Sequence, residues 1–126
     1  MPINSHIDEN KKLTVFKATG VLRYDEIISI VKSFYEGQPT ENVLWDLAEI
    51  TETQLTSEQV EIIAGFDLRY EGTRSKGKTA LVAPKDEVFG LSRMFSTLSE
   101  IKAIPFQLNI FREIEQAYQW LSEEDP

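Results

Sequence analysis

The run Gly72-Thr73-Arg74-Ser75-Lys76-Gly77-Lys78-Thr79 matches the phosphate-loop pattern G-x-x-x-x-G-K-[ST] letter for letter. That chemistry needs a strand feeding the loop and a helix leaving it, so that backbone amides and the helix N-terminus converge on phosphate. Here the order is reversed. A helical pattern precedes the loop, and Thr79 opens the buried run Thr79-Ala80-Leu81-Val82-Ala83, which reads as a strand. Lys78 then stands at a strand start with no helix dipole behind it. The stretch reads as a polar, basic connection between a helix and a strand.

Other catalytic sets are thin. The chain has no cysteine, which removes disulfides, thiolate zinc clusters, iron–sulfur ligation and thiol catalysis together. A single histidine, His6, leaves no histidine pair for a metal and no Ser-His-Asp triad. No paired carboxylates mark an acid–base site. Asp46 with Lys85 is the only pairing that could serve as one, and the chain reads as non-enzymatic, with no cofactor implied. The net charge of −8 and a pI near 4.7 disfavour nucleic acid and anionic membrane surfaces alike. No stretch approaches the ~20 apolar residues of a membrane span, and the N-terminus lacks a signal-peptide profile, so the expected location is cytoplasmic.

The elements that must position any site follow from periodicity. Ile3 to Ile7 and Leu13 to Ala18 alternate apolar and polar around the turn residues Asp8-Glu9-Asn10-Lys11, which predicts a hairpin ended by Gly20. Ile27, Ile28, Val31, Phe34 and Tyr35 recur at helical spacing, with Asp25 and Glu26 where the dipole favours acids and Gly37 and Pro39 beyond the end. Val43-Leu44-Trp45 suits a strand buried on both faces. Thr56 and Gln59 match a capping box opening a helix to about Tyr70.

Val88, Leu91, Met94, Phe95 and Leu98 form the stripe of a third helix. Phe106 to Phe111 is a further strand, and Ile114, Ala117, Tyr118 and Leu121 give a closing helix before a frayed acidic tail. The order is β-β-α-β-α-β-α-β-α. It predicts a single α/β domain over residues 1–126, with a mostly parallel sheet and one antiparallel N-terminal strand.

Val43-Leu44-Trp45-Asp46-Leu47, the run Val88-Phe89-Gly90-Leu91-Ser92-Arg93-Met94-Phe95, Phe111-Arg112 and Ala117-Tyr118-Gln119-Trp120-Leu121, with the spacing of the elements, resemble the small bacterial SpoIIAA-like proteins. These form a branch of the STAS superfamily related to CRAL-TRIO lipid-transfer domains, and the resemblance covers about residues 3 to 121. It implies a regulatory or protein-interaction module, or alternatively a carrier of a small apolar or amphipathic ligand. Well-studied STAS proteins antagonise anti-sigma factors and are switched on a serine within Asp-Ser-Ser. The matching region here is Thr53-Gln54-Leu55-Thr56-Ser57-Glu58, which lacks that motif, although Thr56 or Ser57 lies nearby as a candidate phosphoacceptor. This departure argues against the phosphorylation switch.

Two working surfaces are expected. Asp46, Lys85 and Arg112 fall at strand C-termini, where open α/β sheets bind ligands. Phe89 and Arg93 share the outer face of the third helix beside Gly90, a pairing typical of partner surfaces. Gly90 should need compensation, since glycine costs up to ~1 kcal/mol in a helix. On the second helix, Val60, Ile62, Ile63, Ala64, Phe66 and Tyr70 cover more arc than one sheet face needs, which suggests self-association. His6 is expected at the hairpin surface, and Trp45 and Trp120 in the core.

Overall fold

Alternation in the first residues builds a hairpin, and the computed structural model, which describes residues 3–70, 74 and 77–123, extends it beyond the predicted end. β1 (Ile3–Asp8) pairs antiparallel with β2 (Leu13–Leu22). In the turn, Lys11 N–H donates to Asp8 Oδ1 at 3.2 Å, and Lys12 takes a left-handed φ of 50°. Gly20 does not end β2. It adopts φ 74° between two register shifts against the next strand, so glycine supplies a bulge and the strand continues.

After β2 come α1 (Tyr24–Glu36), β3 (Asn42–Thr53), α2 (Ser57–Phe66), a 3-10 turn (Asp67–Tyr70), β4 (Lys78–Val82), α3 (Asp86–Ile101), β5 (Gln107–Phe111) and α4 (Ile114–Ser122). The element order is the one the sequence predicts, and the fold is a single α/β unit with a five-stranded sheet ordered β1-β2-β3-β4-β5. Only β1 runs antiparallel. β3 is far longer than its apolar nucleus because β2 continues beyond Gly20 and pairs with it as far as Thr53. The capping box forms as predicted: Thr56 N–H donates to Gln59 Oε1 at 3.0 Å, and Gln59 N–H to Thr56 Oγ1 at 3.1 Å. α2 ends at Phe66 rather than Tyr70, its last turn tightening to 3-10 geometry.

The period of two along the strands sorts side chains to two cores. Phe16, Ala18, Val43 and Leu47 pack with Ile27 of α1 and Val88 of α3, with Ile63 of α2 against them. Leu13, Val15, Leu44, Ala80 and Val82 pack with Ala117 of α4. Three helices therefore cover one face and a single helix covers the other.

On α3 the buried line is Val88, Ser92 and Ser99, rotated from the predicted stripe, and Met94 is 40% exposed. Small serines on that line bring α3 close to its neighbours, and this tertiary demand outweighs side-chain hydrophobicity. Ile62, placed by the sequence within the apolar arc of α2, is half exposed. Gly90 is exposed, and a Cβ there would meet nothing within 4 Å, so the expected compensating contact does not exist. Gly77 is the opposite case. A Cβ there would overlap the carbonyl oxygen of Glu41 and lie 2.8 Å from its carbon, because the segments leading into β3 and β4 run against each other.

These two glycines make a paired prediction for urea unfolding. Gly90→Ala raises stability by about 0.5–1 kcal/mol through helix propensity alone. Gly77→Ala lowers it by on the order of 3 kcal/mol, since backbone must move. Equal effects at the two positions would contradict the contact geometry.

Candidate functional site

Strands ordered in sequence have no point where the order reverses, and so no switch-point crevice at their C-terminal ends. The residues expected at that rim are engaged separately. Asp46 does not end its strand, since β3 runs on to Thr53; it accepts from the backbone N–H of Ala48 at 3.1 Å. Lys85 Nζ donates to Ile50 O at 3.0 Å. Arg112 donates to Pro84 O at 3.0 Å and pairs with Asp86 at 2.6 Å. Among the described residues no hydrogen bond or ion pair joins Asp46 to either base.

The guanidinium of Arg112 also lies 3.9 Å from the centre of the Phe89 ring. Phe89 is half-buried against the main core, while Arg93 is exposed. The aromatic of the expected partner face is thus stacked under Arg112. Thr56 is occupied by the capping box, and Ser57 is exposed at the first residue of α2. His6 is exposed on β1.

The phosphate-loop residues divide. Gly72, Thr73, Ser75 and Lys76 lie outside the described residues. Lys78 and Thr79 open β4, as the reversed order requires. Lys78 is buried, and its Nζ donates to Trp120 O at 3.0 Å and Glu123 O at 2.6 Å while lying 5.3 Å from the centre of the Trp120 ring. Its charge therefore caps the C-terminal carbonyls of α4, where the helix dipole is negative. A nucleotide phosphate would have to displace a helix cap.

The space with room for a ligand lies under α1, α2 and α3. Trp45 leans on Phe16 at 4.6 Å between ring centres, and these rings with Leu81 form a floor on the sheet. Val31 and Phe34 of α1, Ile63 of α2, and Leu91 and Phe95 of α3 form the walls. Between them is a cavity of about 110 Å³ that opens to solvent. Its lining is mostly apolar, as that of small-molecule sites is. Trp45, expected in the core, is half-buried and lines this space.

The polar groups of the cavity gather near one end. Arg74 is 4% exposed, and its guanidinium spans the start of β3 and β4. Nε donates to Thr40 O and Glu41 O, both at 3.2 Å; Nη2 donates to Lys78 O at 3.1 Å and Thr79 Oγ1 at 2.8 Å; Nη1 reaches Tyr35 Oη at 3.4 Å. The rings of Phe106 and Phe34 lie 4.4 and 5.7 Å from its central carbon. Arg74, Tyr35, Thr79 and Phe106 all line the cavity. The sequence reading passed over Arg74 because it sits inside a run that looks like surface loop. Its only signal was an arginine between Gly72 and Gly77.

Two ionisations are shifted. Lys17 is raised above its ordinary value, first by its hydrogen bond to Glu49, which it meets at 2.8 Å on the surface. Tyr118 is raised first by burial and then by the negative potential of Asp46 and Asp8. Tyr118 borders a second, more polar recess with Asn10, Asn42 and Ser122, and Lys11 Nζ lies 5.0 Å above its ring. Among the described residues no group of three His, Asp or Glu side chains could hold a metal ion, and no helix is long and apolar enough to cross a membrane.

Comparison with known proteins gives the fold. No family model matches the chain, and no curated protein does. Among solved structures it is similar to an uncharacterised DUF3478-family protein with a SpoIIAA-like fold from Shewanella loihica PV-4. That match has a TM-score of 0.57 at 18% identity and covers 94% of this chain and 91% of that one. It is also similar to the anti-sigma factor antagonist SpoIIAA in its unphosphorylated form, with a TM-score of 0.63 at 15% identity, covering 98% of this chain and 99% of that one. The protein has a SpoIIAA-like fold.

The Lys78 cap is directly testable. Lys78→Met keeps the apolar stem and removes the ammonium, and is expected to lower stability by about 2 kcal/mol through two lost charge-assisted bonds at a helix end. Urea unfolding measures this, and an unchanged midpoint would show that the cap contributes nothing.

Proposed function

We propose that this protein is a non-enzymatic binding domain that takes a small apolar or amphipathic molecule into the cavity between α1–α3 and the sheet. The observation that carries this reading is the cavity itself: about 110 Å³ walled almost wholly by aliphatic and aromatic side chains. Apolar linings of this kind stay dry and favour apolar occupants, because water there finds too few partners for its hydrogen bonds. The separate engagement of Asp46, Lys85 and Arg112 also turns attention from the strand-end rim to the helix-covered face.

The test uses N-phenyl-1-naphthylamine, a neutral apolar dye. Its fluorescence should rise on binding the native protein. Val31→Trp, which adds bulk to the α1 wall, should abolish the signal while the far-UV circular dichroism is retained. Equal dye binding by both proteins would place the dye elsewhere and overturn the reading.

A second reading, a protein-interaction module that self-associates, is favoured by apolar side chains left outside the core. Ile62 of α2 is 50% exposed and Ile101 of α3 is 75% exposed, with Leu68 and Met94 also in solvent. Size exclusion with light scattering should show a dimer at high micromolar concentration that Ile62→Lys with Met94→Lys converts to monomer. A monomeric mass for the native protein removes self-association.

A further inference from the structure

The cavity is chemically lopsided. Val43 and Leu47 of β3 both line it, and the four residue steps from one to the other span about 13 Å at the rise of a β-strand. Arg74 and Thr79 stand at the N-terminal end of β3 and β4, and Tyr35 beside them near the end of α1. Leu22, Leu47 and Leu55 line the opposite end. A guanidinium is therefore held at one end of a channel that is otherwise almost entirely apolar.

Among the described residues the ion meets no negative charge. Burying a guanidinium is expensive unless it meets an anion or a full set of acceptors. Every acceptor it meets among the described residues is neutral: three carbonyls and two hydroxyls. Among the described residues the ion pairs are Lys17–Glu49, Lys102–Glu61 and Arg112–Asp86, and none includes Arg74. Nη1 carries two hydrogens, and its one contact, to Tyr35 at 3.4 Å, is the longest of the set. Arg74 itself lines the cavity, so its charge lies at the wall.

We infer that Arg74 is an anion-recognition residue and that the ligand is a single-tailed anionic amphiphile, its carboxylate or phosphate head at Arg74 and its tail along Phe16, Trp45 and Leu91. This rests on the cavity being the binding site. A neutral ligand of the same length would leave the guanidinium unpaired. An anionic one gains a charge-assisted bond in a site shielded from water.

The experiment measures displacement of N-phenyl-1-naphthylamine from the native protein by decanoate, decyl phosphate and decan-1-ol at pH 7.5. A purely apolar cavity prefers the alcohol, which is the least hydrated of the three. Recognition by Arg74 predicts that decanoate, decyl phosphate or both bind at least roughly tenfold more tightly than decan-1-ol, and which anion does so identifies the head. Arg74→Gln, with its fold checked by circular dichroism, should lose that preference while keeping the affinity for decan-1-ol. If the alcohol binds as tightly as both anions in the native protein, the headgroup assignment fails and the cavity reading stands. If the native protein takes up no dye, both fail. The native comparison does not depend on the variant folding.

Discussion

The backbone leading into β3 lies directly against the backbone leading into β4, and this approach governs the middle of the sheet. Glu41 leaves no room for a side chain at position 77. Asn42 Oδ1 accepts from Lys78 N–H at 3.1 Å, and Arg74 donates to the carbonyls of Thr40, Glu41 and Lys78. Together these set Val43 opposite Thr79 and Trp45 opposite Leu81. A one-residue slip would send Trp45 to the α4 face and Leu44 toward α1–α3. The register that places the cavity floor is thus set at one corner, by a glycine and a buried arginine.

From that register the two faces diverge. On the single-helix face, Ala117 is fully buried, and α4 is tied down through its C-terminus by Lys78. On the other face, three helices must share a sheet that widens as β2 and β3 run on past Gly20. α3 follows its serine line, which leaves Leu91 and Phe95 as walls of the cavity instead of plugs for it. Bulky aromatic floors and short helical contacts do not fill the same volume, and the empty space is what remains between them.

Much of the fold was legible in the chain. The alternation of Leu13 to Ala18, the unbroken Val43-Leu44-Trp45 run, the Thr56–Gln59 box and the helical spacing from Ile27 to Tyr35 are local signals, and each produced its element. Failures fell where a partner decides. Gly20 looks like a strand end until β3 is beside it, and Met94 looks buried until Ser92 and Ser99 are seen to face inward. Gly90 looked like a packing site, yet its neighbourhood is open. The site was hardest to see. Lys85 and Arg112 follow strand ends and Asp46 sits inside β3, and each bonds a separate partner, whereas Arg74 carried the look of a solvated loop.

The sequence by itself determined the order of strands and helices, the mostly parallel sheet, and the placing of Thr79 in a strand and not a helix. Those depend on period, turn chemistry and the succession of elements, which a linear chain states outright. Only the tertiary structure decided what Gly77, Lys78 and Arg74 are for. One admits a crossing backbone, one caps a distant helix, and one places a charge at the wall of an apolar space. Each role depends on a partner about 35 residues or more away, on Glu41, Trp120 and Tyr35 respectively, and no local pattern encodes such a meeting.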